Sequence, residues 1–89
     1  MTPGTSVVWS RITAHEGEIF RQIRGGEFSY AVTGDYLQLD RTNQAIPRKH
    51  IEEALGLVPL NNTVPVQHLR APSYIFAILM DDRVRGTDW

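Results

Sequence analysis

Two glycine-bearing turns, about nine residues apart, constrain this chain more than any other feature. Gly25-Gly26 separates residues 18–24 from 27–32, and Gly34-Asp35 separates 27–32 from 36–40. Glycine reaches positive φ without steric cost, which tight hairpins demand of one or both central residues. The flanking segments alternate. Phe28, Tyr30 and Val32 are interleaved with Ser29 and Ala31, and Leu37 and Leu39 enclose Gln38. Period two is the pattern of a strand with one buried face. The three segments therefore predict an antiparallel meander. In its first strand Ile19 and Ile23 would face the core with Phe28. Arg21 between them marks a bulge or an edge position.

Beyond the meander the periodicity changes. Residues 41–45 read as a polar connector, and Ile46-Pro47 opens a helix that runs to Leu55. Proline suits a first helical position, where its missing N–H costs nothing. Ile51, Ala54 and Leu55 fall on one helical stripe, and Gly56 follows as a terminator. Residues 7–12 predict a short helix ended by Gly17, and residues 65–69 one helical turn. Residues 73–82 are apolar nearly all round, suiting a buried helix or strand, and the proline before them favours helix. Arg83 and Arg85 would close that helix, since cations are stabilised at helix C-termini. The expected fold class is α+β: a three-stranded antiparallel meander against two or three short helices, in a single sheet layer with helices on one face. One domain over residues 1–89 is expected, with 1–6 and 86–89 loose.

The composition removes several classes of function. With 89 residues, 42% of them hydrophobic, and no cysteine, packing must hold the fold without disulfides or thiolate-bound metal. The longest apolar run, residues 74–80, is far short of the roughly 20 needed to span a bilayer. No secretory leader is legible, so no membrane partner and a cytoplasmic location are expected. The net charge of −1 advertises neither nucleic acid nor a cationic partner.

Catalytic patterns are equally sparse. His15, His50 and His68 lack the i, i+4 spacing of a helical zinc motif. Ser10, Ser29 and Ser73 lie outside any Gly-x-Ser-x-Gly elbow. Glu52 and Glu53 point about 100° apart on a helix. Asp81 and Asp82 have Arg83 and Arg85 at hand for local ion pairs. The sequence thus points away from an enzyme and from any cofactor. A catalytic role would need His15 or His50 beside a carboxylate.

Two surfaces stand out as binding candidates. Arg41 and Asn43 follow the meander, and Arg48 and Lys49 occupy a first helical turn, where acidic residues are the stabilising choice. Together they form a candidate anion or nucleic-acid contact, which Arg21 and Arg24 would extend. Against it, Arg48 and Lys49 could pair with Glu52 and Glu53 at i+4, and Arg41 with Asp35 or Asp40. The second surface is the other side of the sheet, where Phe20, Gln22, Ala31 and Tyr36 form a candidate protein interface. The expected function is a non-catalytic binding or interaction module that associates with itself or a larger assembly. Nucleic-acid binding is the alternative.

Overall fold

A computed structural model describes residues 2–89; Met1, within the arm expected to be loose, lies outside the described residues. The chain forms helix α1 (Thr5–Ala14) and strands β1 (Phe20–Arg21), β2 (Glu27–Phe28), β3 (Tyr30–Thr33), β4 (Tyr36–Leu39) and β5 (Ala45–Pro47). Helix α2 (Arg48–Leu55), a 3₁₀ turn (Val64–Val66), α3 (Pro72–Leu79) and α4 (Asp82–Arg85) complete it. The α+β class holds, and a three-stranded antiparallel sheet is its centre. Two of that sheet's boundaries differ from the expected ones.

The sheet consists of β3, β4 and β5 in that order. The segment expected as its first strand pairs instead in a separate two-stranded ladder, with Phe20 opposite Phe28 and Arg21 opposite Glu27. The ladders divide at Ser29. Its N–H donates to the Asp40 carboxylate at 2.9 Å and its carbonyl accepts from the Asp40 N–H at 3.1 Å. The third strand is Ala45–Pro47, so Ile46 belongs to a strand, while Pro47 both ends that strand and is the N-cap of α2, which runs to Leu55 as expected. Ile46 is fully buried opposite Leu37, which extends the strand up to the start of the helix.

The turns share the same mixed outcome. Gly34, at φ +58°, and Asp35 join Thr33 to its partner Tyr36, as the sequence predicts. The first hairpin closes earlier. The Gln22 N–H donates to the Gly26 carbonyl and the Gly25 N–H to the Gln22 carbonyl. Ile23 and Arg24 therefore sit in the turn rather than in a strand. Ile19 and Ile23, expected in the core, are 57% and 64% exposed, whereas Phe20 is 1% exposed. A one-residue change of parity exchanges the two faces of a strand, and here the larger ring went inside.

One contiguous core unites the elements. Tyr30, Leu37, Leu39 and Ile46 from the sheet meet Val8, Trp9 and Ile12 of α1 and Ile51, Ala54 and Leu55 of α2. Ile75, Ile78 and Leu79 of α3 and Val84 of α4 close it. Helix α1 begins at Thr5, inside the arm expected to be loose, with the Gly4 carbonyl accepting from Val7 and Val8. The chain bends at Met80 and Asp81, so α4 is a new helix rather than the end of α3. The Asp81 side chain caps it by accepting from the Arg83 N–H. The C-terminal residues are tied down rather than loose: the Trp89 indole donates to the Leu79 carbonyl at 2.7 Å, and Arg11 pairs with Asp88 at 2.6 Å.

Candidate functional site

The sheet has one covered and one uncovered face. Strand register places Ala31, Gln38 and Ala45 in one outward row and Thr33, Tyr36 and Pro47 in the next. Ala31, Thr33, Tyr36 and Gln38 are exposed, and Ala45 and Pro47 half-buried. None of the six carries a charge. Tyr36, 52% exposed, is the largest apolar surface among them.

Both edges of the sheet are blunted. On the β3 edge the Gly17 N–H donates to the Tyr30 carbonyl at 2.9 Å, and the Glu16 carboxylate accepts the Val32 N–H at 2.8 Å. The turn after α1 thus occupies the groups that another strand would need. On the β5 edge Gln44 accepts from the Leu39 N–H, and the Arg48 N–H donates to the Asp35 carbonyl. The alternation turns Ala45 and Pro47 outward. Proline has no N–H to offer, and the strand is short, two devices that discourage strand addition.

Of the expected protein-interface residues, Ala31 and Tyr36 lie on this open face. Phe20 and Gln22 do not. Phe20 packs against Phe28 and Tyr30, with ring centroids 6.0 and 5.2 Å away, and the Arg83 guanidinium covers its ring at 3.8 Å. The Gln22 amide donates to the Ser73 hydroxyl at 3.0 Å.

The expected anion contacts fall into separate places. Arg41 and Asn43 lie in the connection between β4 and β5, whereas Arg48 and Lys49 follow the opposite end of β5. Three strand residues separate them, about 10 Å. Arg21 pairs with Glu27 at 2.8 Å, and Arg41 donates to the Glu27 carbonyl at 2.6 Å. Arg48 lies 5.4 Å from the Trp9 ring centroid and donates to the Ser6 hydroxyl. The i+4 pairs of Arg48 and Lys49 with Glu52 and Glu53 do not form. An open groove of about 390 Å³ beside Arg48 and Lys49 is lined also by Asp35, Tyr36, Pro47 and Glu52. Two acids and two bases there compensate one another.

Each histidine has a polar partner within the fold. His50 Nδ1 accepts the Arg70 N–H at 3.1 Å, which joins α2 to the loop before α3. His68 lies 3.4 Å from Glu53. His15 lies 3.0 Å from Glu18, whose other oxygen accepts from Arg83. Arg83 also pairs with Asp81, the local ion pair that the sequence suggests, and donates to the Ile19 carbonyl. Hydrogen bonds from His15 and Arg83 hold Glu18 below the usual carboxylate range, and the Arg83 hydrogen bond does the same for Asp81. This network clamps α4 to the first hairpin. Sequence pattern could not reveal it, because Glu18 and Arg83 are far apart in the chain.

Among the described residues, no group of three or more His, Cys, Asp or Glu side chains could hold a metal ion. No described helix is long and apolar enough to cross a membrane. Comparison with protein-family models, with curated proteins and with solved structures gives no match.

Proposed function

We propose that the chain is a non-catalytic interaction module whose contact surface is the open face of β3, β4 and β5. The observation that carries this reading is an uncharged, uncovered sheet face on a domain whose sheet edges are both blunted. Aromatic residues such as Tyr36 are enriched at interface centres, where charged residues are depleted. The neighbouring groove places Asp35, Glu52, Arg48 and Lys49 beside Tyr36, charges of both signs at one end of the neutral face. Two copies can meet across such a face without bringing like charges together, so self-association is the form to test first.

Magnitude limits the strength. Three strands spaced about 4.8 Å, two of four residues and one of three at about 3.3 Å per residue, cover roughly 170 Å². A stable complex buries about 800 Å² per partner. The face is therefore the centre of a weak contact, or one part of a larger assembly. Sedimentation of the wild type across a wide concentration range should show weak, reversible association. Tyr36→Asp, which places charge at the centre of the face, should leave a monomer with unchanged secondary structure. A wild type that stays monomeric throughout removes the self-association reading.

A further inference from the structure

We propose that a second cleft, between the turn of the first hairpin and the N-terminal end of α3, binds a small carboxylate that carries an apolar group. The half-open cleft has a volume of about 470 Å³ and is lined by Gln22, Ile23, Arg24, Asn62, Thr63 and Ser73. That volume is within the range of small-molecule sites. It shares no residue with the open sheet face, so the two readings stand or fall separately.

Four observations carry it. Arg24 is exposed at the turn, and no ion pair or hydrogen bond engages its guanidinium among the described residues. Arg11, Arg21 and Arg83 each meet a carboxylate within the fold, and Arg70, whose guanidinium is likewise unengaged among the described residues, lies outside the cleft lining. The lining has no acid, so the Arg24 charge is uncompensated there, unlike Arg48 and Lys49 in the other groove. A guanidinium offers paired N–H donors that match the two oxygens of a carboxylate.

The walls are built before any ligand arrives. Gln22 is fixed through its N–H to the Gly26 carbonyl at 2.8 Å and its side chain to Ser73 at 3.0 Å. Gly26 makes room for that arrangement, because a Cβ there would lie 2.8 Å from the Gln22 Oε1. The Asn62 Oδ1 accepts the Val64 N–H at 2.9 Å, which fixes that side chain on the cleft lining. The lining around Arg24 holds no carboxylate that would repel an oxyanion. Ile23 supplies the apolar part. Its side chain is 64% exposed at the same turn, where desolvation by a bound alkyl group would be favourable.

The probe is N-acetyl-leucine, with N-acetyl-leucine amide, acetate and inorganic phosphate as comparisons, titrated into isotopically labelled protein and read by NMR. Saturable shifts at Arg24, Gln22 and Ser73 are expected with N-acetyl-leucine, at millimolar affinity. The amide and Arg24→Gln should each weaken binding at least tenfold. Ile23→Asn should weaken N-acetyl-leucine and leave acetate unchanged. Both positions are exposed in a turn, so the variants' spectra should otherwise match the wild type. Peptides ending in a free or an amidated leucine carboxylate then separate a protein C-terminus from a free acid as the source. Absence of saturation, equal binding of the amide, indifference to Arg24→Gln, or phosphate binding as well as N-acetyl-leucine would each overturn the proposal.

Discussion

The first hairpin and the three-stranded sheet begin from the same kind of sequence, alternation interrupted by glycine, and end as different objects. The sheet pairs four residues of β3 with all of β4 and adds β5. The hairpin keeps two paired residues on each side. Backbone pairing carries the sheet, while the hairpin depends on what its side chains touch. Phe20 and Phe28 are both buried, Phe28 meets Tyr74 edge-on at 4.8 Å, and Arg83 sits over Phe20. A ladder this short is not stable alone. The hairpin is thus a dependant of α3 and α4, whereas the sheet is held by its own three-strand pairing.

The largest test of that contrast is Phe20→Ala. Loss of a fully buried ring should cost about 4 kcal/mol, read from urea unfolding. Because the hairpin depends on this ring, the Gln22 and Gly25 amides should lose hydrogen-exchange protection far more than Leu39 in β4. Equal loss at all three would mean that hairpin and sheet open as one unit.

Arg83→Gln probes the clamp rather than the ring and should cost at most about 1 kcal/mol, since the ion pairs are partly solvated. Its signature is in acid. Glu18 and Asp81 titrate below their ordinary values in the folded state, so their stabilisation is fully present above pH about 4.5 and disappears as pH falls through the folded values. The gap between wild type and variant in urea midpoint should therefore narrow from pH 6 to pH 3. A gap that stays constant would assign the role of Arg83 to its stacking on Phe20.

Gly34→Ala addresses the sheet turn. At φ +58° with nothing near the missing Cβ, the penalty is conformational strain alone, about 1 kcal/mol. Thermal unfolding measures it, and a cost near zero would show that the turn relaxes into another type. The smallest effect belongs to the hairpin tip. Ile23→Thr should change stability by less than about 0.5 kcal/mol, and a larger loss would place Ile23 in the core after all.

Much of this fold can be read from local pattern. The alternation of Phe28, Tyr30, Leu37 and Leu39 identifies buried side chains, and the stripe of Ile51, Ala54 and Leu55 identifies the inner face of α2. The turn at Gly34-Asp35 follows from residue chemistry. The candidate sites were less legible. Ala31 and Tyr36 on the open face follow from period two, but the uncompensated Arg24 becomes visible only once the neighbours of every other arginine are known. Similarly, Ala45–Pro47 is too short, and too compromised by proline, to announce itself as a strand.

By itself the sequence determined which residues seek burial, where the chain can reverse, and that no disulfide or thiolate-bound metal holds it. The tertiary structure decided which strands pair, which side of residues 19–23 faces inward, and which surfaces stay open. Period-two patterns leave parity and partner undetermined when both faces carry apolar residues, as Ile19, Phe20 and Ile23 do. Contacts distant in sequence settle them: Asp40 on Ser29, Leu37 on Ile46, and Arg83 on Phe20.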